Sequence, residues 1–313
     1  MAKRGGLRWK SIGLKDEERL TAGWVHHRCP AWSADGKWLA FAAGDDHDAT
    51  WVLTDRRGRV ARTLAGPATG GAAFGPDGSF AFGRGDEIWM TGDPALPPVR
   101  LLGADGLVYR EPAFSPDGRL LAFTAAERAG AVPHLYVLEL ASGQRHALFE
   151  EPTRADAHPA FSPDGEELFF QGTEGDDVAI HALRFANHAL ERISPMRVAS
   201  RRPAPLSREL LVVERDTDGG SRLVLIDRRE RRERMLSLDE APGHKPGDKI
   251  ALREPCVFQG RSGKVRLAFT QLVSDGDLRR FEICVARLKG VGAEEELEET
   301  PPPPPSNGEA VSV

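Results

Sequence analysis

The 313-residue sequence has only three cysteines, Cys29, Cys256 and Cys284, and no Cys-x-x-Cys pair. An odd number without that spacing excludes a disulfide-stapled scaffold and a four-cysteine zinc site. No run of about 18 apolar residues occurs, so no membrane-spanning helix is predicted. The first ten residues are basic, but no apolar segment follows them. We therefore expect no signal peptide and a cytoplasmic location.

The chain also has little excess charge of either sign. Its formal net charge is −5, but its last 23 residues hold six glutamates and neither lysine nor arginine, so residues 1–290 carry +1. A nucleic-acid-binding protein needs a clear basic excess for its phosphate contacts, and the near-neutral body argues against that function. The sequence lacks a Gly-x-Ser-x-Gly segment as well, which excludes the nucleophile elbow of α/β-hydrolases.

One motif recurs along the chain: a proline, an aromatic residue and a Ser-Pro-Asp-Gly turn, in that order. Six copies can be aligned, clear in the first half of the chain and weaker in the second, and their proline columns lie 40 to 52 residues apart. That spacing is typical of one propeller blade, so the sequence predicts an all-β, six-bladed β-propeller. The copies begin near residues 28, 70, 110, 157, 201 and 253.

Each part of the motif has a structural reason. In Ser-Pro-Asp-Gly, proline presets φ near −65°, aspartate bonds to its own backbone, and glycine takes the positive φ that closes a hairpin. The aromatic residue before the turn and the Leu-Ala-Phe type run after it predict two short strands, and two more strands fit before the next copy. Four antiparallel strands per unit are expected in a blade.

The ring must also be closed. The segment after the sixth third strand is acidic and proline-rich, and is a poor candidate for a packed strand. We therefore predict that a segment within residues 7–21 supplies the outer strand of the last blade, with residues 295–299 as the rival. Residues 1–290 are then one propeller domain, and residues 291–313 a disordered tail.

At its Phe-Ser-Pro-Asp-Gly-x-x-Leu-Ala-Phe repeats the sequence resembles the TolB-type propellers, which are built from WD40-like PD40 repeats. The resemblance is specific over residues 28–170 and weaker over residues 201–288, where other residues replace the turn. It implies a six-bladed, TolB-like fold. The family includes an envelope protein with an additional domain, propeller domains of serine peptidases and metal-using pectin-fragment lyases, so the resemblance implies a fold and leaves the activity open.

The residues just before the proline column are expected to surround the mouth of the central channel, if the first strand of each blade is innermost. Arginine precedes the proline by two positions in four of the six units. Guanidinium forks suit a carboxylate or phosphate group. Alternatively, these arginines pair with Glu111 and Glu254 and tie the blades together. The predicted ligand-binding residues are Arg28, Arg110, Glu111, His158, Arg201, Arg253 and Glu254.

Two features bear on metal binding. The loops between second and third strands are acidic, which suits Ca²⁺, although aspartate and glycine also dominate ordinary hairpin turns. His26, His27 and His158 approach the same mouth, but no motif places a further ligand. We therefore predict no cofactor, with Ca²⁺ or a transition metal as the alternative. The acidic loops are residues 44–48, 174–177, 216–220 and 274–277.

Two further features have two interpretations each. Cys29 is either a thiol activated by the neighbouring Arg28 or a small apolar residue packed in the core. Residues 228–234 hold five arginines in seven positions. This basic run is predicted to be a solvated outer edge, with a phosphate-contacting surface as the alternative and the acidic residues 294–299 as its internal partner.

Taken together, these patterns predict a monomeric, non-catalytic binding or scaffold propeller. It would present its variable-loop face and channel mouth to a protein partner or a small anionic ligand, without contact to a membrane or nucleic acid. The alternatives are a metal-dependent carbohydrate lyase or hydrolase acting at that mouth, and a propeller that senses carbohydrate or peptide without turnover.

Overall fold

The computed structural model describes residues 9–22, 25–45, 47–93, 96–149, 154–218, 220–238, 251–260, 262–275 and 278–291. Over these ranges the chain forms 24 β-strands and one 3₁₀ turn, Trp9–Ser11. No helix of the described residues has the length and hydropathy that a membrane crossing requires. The strands form six four-stranded antiparallel sheets, which are the six predicted blades.

In each blade the strands lie side by side in order from the central axis outward, and the first strands contact one another around the axis. The first strands are β2 (His27–Trp32), β6 (Ala68–Phe74), β10 (Val108–Phe114), β14 (Ala155–Phe161), β18 (Ser200–Pro205) and β22 (Leu252–Gln259). The second strands are β3 (Trp38–Ala43), β7 (Phe80–Arg84), β11 (Leu120–Ala126), β15 (Glu167–Glu174), β19 (Leu210–Thr217) and β23 (Val265–Asp275).

The outer half of each blade consists of a third and a fourth strand. The third strands are β4 (Thr50–Asp55), β8 (Glu87–Thr91), β12 (His134–Glu139), β16 (Asp177–Arg184), β20 (Gly220–Asp227) and β24 (Leu278–Lys289). The outer strands of blades 1 to 5 are β5 (Val60–Leu64), β9 (Val99–Leu102), β13 (Arg145–Ala147), β17 (Ala189–Arg192) and β21 (Arg232–Met235), and that of blade 6 is β1 (Gly13–Arg19).

The connections divide between two faces of the ring. The turns after each first and third strand lie on one side, which we call the turn face. The turns after each second strand and the links to the next blade lie on the other, the loop face. Because the first strands start at the loop face, the residues before the proline column lie at that end of the channel.

The turns after the first strands have the predicted chemistry. Ser33 Oγ donates a hydrogen bond to Asp35 Oδ1 at 2.8 Å, and Gly36 has a φ of 67°. Ser115 and Ser162 make the same bond in blades 3 and 4. Partial burial would raise the pKa of Asp35, but hydrogen bonds from neighbouring residues outweigh burial and lower that pKa to about 2. These turns are stabilised by their own residues and position the hairpins of the inner strands.

The core of the described residues divides into six clusters, one between each pair of adjacent blades. Between blades 1 and 2, for example, Trp51 packs with Phe80 and Phe82, and Trp51 Nε1 donates to the carbonyl of Gly83 at 2.8 Å. Every cluster takes side chains from two blades. A blade therefore buries its faces only when both neighbours are present, and the ring needs closure.

The N-terminal strand closes the ring, as predicted. Strand β1 pairs antiparallel with β24, with Leu14 opposite Leu288. Leu14 is 1% exposed and joins the cluster between blades 5 and 6. On its polar side, Asp16 forms an ion pair with Arg287 at 2.7 Å. The last blade is thus built from both ends of the described chain.

The basic run of blade 5 contacts this N-terminal segment. Trp9 Nε1 donates to Glu230 Oε2 at 3.0 Å, the Arg232 guanidinium lies 5.8 Å from the Trp9 ring, and Arg234 Nε donates to the carbonyl of Ile12 at 3.0 Å. These contacts strengthen the closure on its outer side. The acidic segment expected to cover this run, and residues 292–313 in general, lie outside the described residues.

One arginine of the run is not at a solvated edge. The Arg228 side chain is 12% exposed and pairs with Glu167 and Glu191, each at 2.6 Å. Both partners belong to blade 4, so Arg228 connects blades 4 and 5. The prediction of a solvated edge is wrong at this position, because the turn brings the side chain back over the neighbouring blade.

A stack of rings and a guanidinium joins blades 3 and 4. The His181 and Phe170 rings are 5.6 Å apart, and the Arg154 guanidinium lies 5.3 Å from Phe170 and 4.2 Å from Phe149. Burial, together with the charge of Arg154, lowers the pKa of His181 to about 4. The imidazole is therefore neutral in the folded protein near neutral pH.

Removing the closing strand should abolish cooperative unfolding. A chain that begins at residue 22 lacks β1 and uncovers the cluster between blades 5 and 6. The matched point change, Leu14→Ala, should lower the free energy of unfolding by about 2–5 kcal/mol. Thermal melting followed by circular dichroism measures both. A truncated chain that melts with the sharpness and midpoint of the full chain would show that β1 does not close the ring.

Acid should weaken the interface between blades 3 and 4. Below a pH of about 6.5 an unfolded histidine takes up a proton, whereas His181 stays neutral in the fold until about 4. Protonation therefore favours the unfolded state over that window. The full pKa shift corresponds to about 3 kcal/mol, and because the imidazole is partly exposed we expect stability to fall by about 2 kcal/mol.

His181→Gln should remove this part of the pH dependence. His146→Gln, on the exposed strand β13, is the control and should keep it. Urea unfolding at several pH values between 7 and 4 gives the comparison. Parallel stability curves for wild type and His181→Gln would mean that His181 does not titrate in this way.

Candidate functional site

Every first strand contains a β-bulge where the proline column begins. In β10, for example, the pairing with β11 shifts between Arg110 and Ala113. In five blades the residue just before the proline is not glycine, yet its φ lies between 51° and 58°. Such left-handed residues cost about 1–3 kcal/mol each and persist only where their surroundings hold them. They are Cys29, Glu111, His158, Arg202 and Glu254.

Blade 2 differs, because its bulge consists of Gly70 and Gly71, with φ values of 69° and 130°. The five left-handed residues and this glycine pair all line the channel along the propeller axis. We call them the bulge ring. Of the predicted ligand-binding residues, Glu111, His158 and Glu254 belong to it. The ring also contains Arg202, which is not among the seven predicted ligand-binding residues, and the Cys29 thiol.

Carboxylates hold the bulges in place across blade boundaries. Glu111 accepts hydrogen bonds from the backbone N–H of His158 at 2.7 Å and from its Nδ1 at 2.8 Å. Glu254 accepts the N–H of Cys29 at 2.6 Å, and the N–H of Glu254 is accepted by Glu214 at 3.1 Å. The bulge frees these amides from the sheet, and a neighbouring blade's carboxylate binds each of them.

These contacts also change the pKa values of the side chains in the bulge ring. Burial would raise the pKa of Glu111, but the ion pair and hydrogen bonds with His158 outweigh burial and lower that pKa. Burial raises the pKa of Glu214. Burial would lower the pKa of Arg202, but the surrounding acidic groups, Glu254 foremost, outweigh burial and raise that pKa above the usual value. Arg202 Nη1 lies 3.3 Å from Glu254 and its Nε 3.7 Å from Glu214.

Cys29 is not an activated thiol. Its Sγ contacts Glu254 Oε1 at 3.6 Å, and burial, together with that carboxylate, raises its pKa to about 12. The effect expected from Arg28 is therefore outweighed, and the packed interpretation of Cys29 is the one that fits this environment.

Below the bulge ring the channel wall is apolar. Each first strand continues with proline or alanine and a small residue, and four of them add an aromatic ring at the same level. The cavity has a volume of about 320 Å³. The channel therefore combines a charged mouth with an apolar shaft. The four aromatic residues are Trp32, Phe74, Phe114 and Phe161.

The four predicted arginines lie on the loop face, just outside the ring. Arg110 donates to the carbonyl of Gly85 at 2.7 Å and to Asp86 at 2.9 Å, both in blade 2. Arg201 pairs with Asp216 within blade 5. The predicted alternative, in which these arginines pair with the ring glutamates, is thus not the observed arrangement at these two positions.

The other two arginines flank one aromatic ring. Arg28 and Arg253 lie 6.0 and 5.6 Å from the ring of Phe281, and Arg253 Nε donates to Ser221 Oγ at 3.1 Å and lies 3.6 Å from Glu214. Arg253 thereby connects blade 6 to blade 5. The structure brings the seven predicted residues to one mouth, but divides them between the ring and its rim.

Two side cavities open from this mouth. One, of about 310 Å³, lies over blade 2 between Arg28 and Arg110 and shares Cys29, Gly70 and Gly71 with the channel. The other, of about 340 Å³, lies between blades 4 and 6. It shares His158, Arg202 and Glu254 with the channel and is flanked by Arg201 and Arg253. The channel mouth and the two side cavities therefore adjoin at shared residues, and together we call them the groove; Arg28 and Arg110 flank one end of it and Arg201 and Arg253 the other.

The described residues contain no group of three His, Cys, Asp or Glu side chains placed to hold a metal ion. The histidines at the mouth do not converge: His26 accepts the N–H of Phe281 at 3.2 Å, His27 packs against Phe41, and His158 pairs with Glu111. Of the four acidic loops, residues 174–177 are described throughout, and there Asp177 pairs with Arg192 of the same blade.

Comparison with solved structures places the architecture among known folds. TolB from Acinetobacter baumannii gives a TM-score of 0.61 at 20% identity, covering 76% of this chain and 58% of that one. This chain is a TolB-like six-bladed β-propeller. With 58% of the TolB chain covered, this chain spans less than two thirds of that protein's length. No protein-family model and no curated protein matches the sequence.

Other solved structures share the TolB-like propeller fold. An oligogalacturonate lyase in complex with manganese gives a TM-score of 0.58 at 16% identity and covers 92% of this chain and 98% of that one. The β-propeller domain of the trilobed protease from Pyrococcus furiosus gives 0.55 at 12% identity, covering 85% and 94%. At these identities the comparisons establish the fold alone.

Two residues of the site, Arg202 and Glu214, are not among the seven predicted ligand-binding residues. Arg202 precedes the proline directly, as the predicted Glu111, His158 and Glu254 do. In blade 5 the prediction chose Arg201, two places before the proline, whereas the bulge turns the residue one place before it into the channel. Glu214 on β19 carries no comparable sequence signal.

Removing the Glu111 carboxylate should destabilise the whole ring. Glu111→Ala leaves the amide and imidazole of His158 without their acceptor, and should lower the free energy of unfolding by about 2–3 kcal/mol. Glu127→Ala, an exposed site in the same blade, is the control and should change it by less than about 0.5 kcal/mol. Urea unfolding measures both. Equal stabilities would mean that the carboxylate does not support the bulge.

Proposed function

We propose that this propeller is a non-catalytic binding protein that holds a protein partner or an anionic ligand at the mouth of its channel. The observation that carries the proposal is the groove across the loop face. It passes over the charged bulge ring, opens into an apolar shaft, and has arginines at both ends. A concave site with few, convergent polar groups and apolar walls is the usual form of a binding site.

The rim arginines support this role because they are oriented before a ligand arrives. The two carbonyls of Gly85 and Tyr109 and the carboxylate of Asp86 fix the Arg110 guanidinium. Its side chain remains 28% exposed, and that of Arg253 46%. Guanidinium groups that are already held in position lose less entropy on binding an oxyanion.

The chemistry of the channel favours binding over turnover. The thiol of Cys29 is protonated at neutral pH, since its pKa is raised to about 12, and the His158 imidazole is engaged by Glu111. The oligogalacturonate lyase with a similar fold was solved with manganese. The described residues of this chain contain no group of three His, Cys, Asp or Glu side chains placed to hold a metal ion.

Changing the rim should remove partner binding without unfolding the protein. The full chain, immobilised as bait, should retain specific proteins or acidic ligands from an extract of its source cells. The double variant Arg110→Ala/Arg253→Ala should lose at least nine tenths of that retention. The charge-matched control Arg57→Ala/Arg119→Ala lies on the turn face and should keep it.

Quantitative mass spectrometry of the retained material and a thermal melt of each bait complete the test. Identical retention by the rim variant and wild type would contradict binding at the mouth. Conversion of oligogalacturonate to an unsaturated product by wild-type protein would contradict the non-catalytic role.

A further inference from the structure

We propose that the cavity over blade 2 is the binding site for the oxyanion of a small molecule, a carboxylate or a phosphate held between Arg28 and Arg110. This proposal rests on the proposed function and assigns one end of the groove to a ligand class. It begins with a departure from the repeat. Five blades fill the two positions before the proline column with side chains, whereas blade 2 has Gly70 and Gly71.

Both glycines leave space that the other blades do not have. A Cβ at Gly70 would lie 2.5 Å from Cδ of Arg110, so the absence of a side chain there lets Arg110 fold across blade 2. A Cβ at Gly71 would meet only the backbone of Glu111, at 3.8 Å, so the space beside it is open. Its φ of 130° is also one that other residues rarely adopt. The result is a cavity of about 310 Å³.

Two cations from different blades face this cavity. Arg28 comes from blade 1 and Arg110 from blade 3, on either side of the glycine pair. The Arg110 bonds to Gly85, Tyr109 and Asp86 engage three of its five N–H groups. Its fork is thereby fixed in orientation while donors remain for a ligand. A planar guanidinium that is held in this way suits the two oxygens of a carboxylate or a phosphate.

The two ends of the groove differ in the charged residues that line them. Among the described residues, the cavity over blade 2 is lined by two arginines and one carboxylate, that of the exposed Asp45. The opposite cavity is lined by three arginines and three carboxylates. Asp86, the partner of Arg110, is 63% exposed, so water screens its charge. Of the two ends, the blade 2 end therefore has fewer described carboxylates to compete with an anion for the arginines.

The floor of the cavity sets the rest of the ligand. Ala42, Ala49, Ala68 and Trp51 line it, and Trp51 is 1% exposed. These side chains offer no charge, so the part of the ligand that follows the oxyanion should be short and apolar. The volume corresponds to the lower end of the range for small-molecule sites.

The experiment is a titration of the full chain with three probes: inorganic phosphate, butyrate and succinate. Isothermal titration calorimetry and thermal shift are recorded at constant ionic strength, with sodium chloride as the reference. At least one probe should bind saturably in the millimolar range or below. Stronger binding of butyrate or succinate would assign a carboxylate ligand, and stronger binding of phosphate a phosphorylated one.

The variants locate the site. Arg28→Gln and Arg110→Gln should each weaken binding at least tenfold, and Arg110→Lys, which keeps the charge but loses the fork, should weaken it as well. Arg119→Gln, an exposed arginine on the turn face, is the matched control and should leave it within twofold. A melt of each variant without ligand shows whether it folds. If Arg110→Gln does not fold, Arg28→Gln and Arg110→Lys carry the test.

Absence of saturable binding by all three probes, or equal weakening by Arg28→Gln and Arg119→Gln, would overturn the proposal. Such a failure is distinct from failure of the proposed function. If retention on the immobilised chain depends on the rim while no probe binds, the mouth remains a binding surface and the oxyanion site is wrong. If a probe binds through Arg28 and Arg110 while nothing is retained, the oxyanion site stands on its own.

Discussion

A left-handed residue directly before a proline is the conformation on which the rest of this propeller depends. It recurs in five of the six first strands, and a glycine pair replaces it in the sixth. The conformation is unfavourable for any residue with a side chain, because Cβ crowds the following carbonyl. Its effect is geometric: it interrupts the ladder, turns one side chain per blade towards the axis, and leaves a backbone N–H for another acceptor.

The acceptors come from neighbouring blades, which couples the site to the ring. Glu111 joins blade 3 to blade 4, Glu254 joins blade 6 to blade 1, and Glu214 joins blade 5 to blade 6. Apolar clusters lie at the same three interfaces. Residues at the channel mouth therefore support the fold as well as face the groove. A rigid mouth follows, since moving one bulge would break a hydrogen bond in the next blade.

The sequence predicted those features that depend on local contacts. The turn at Ser33 to Gly36 and its copies, the strand count and the order of strands could be inferred because each repeat carries its own turn chemistry and aromatic positions. The closing strand was predicted from the lack of any better sixth outer strand, although the charged segment Gly13–Arg19 has little strand propensity of its own. Its position depends on Leu14 entering the core and on ion pairs with β24.

The partners of the charged residues could not be predicted in the same way. Alternation along a regular strand places neighbouring residues on opposite faces, so the sequence could not show which of Arg201 and Arg202 enters the channel. The bulge breaks that alternation and puts Arg202 in the channel beside Glu254. Arg110 pairs with Asp86 rather than a ring glutamate, because its side chain extends across Gly70 to the turn of blade 2. Such pairings depend on contacts between units, which a repeat alignment does not contain.

In a repeat protein the residues that recur are explained by the unit they build, so a departure from the repeat needs its own cause. At the bulge, blade 2 departs from the other five by omitting two side chains, and it does so between two arginines. Two glycines there increase the entropy lost on folding and remove packing, with no gain for the blade itself. The accommodation of Arg110 accounts for Gly70. Gly71 has a backbone reason as well, because its φ of 130° is one that residues with a side chain rarely adopt. Its missing side chain also leaves open space at the edge of the channel, which is where the proposed ligand would lie.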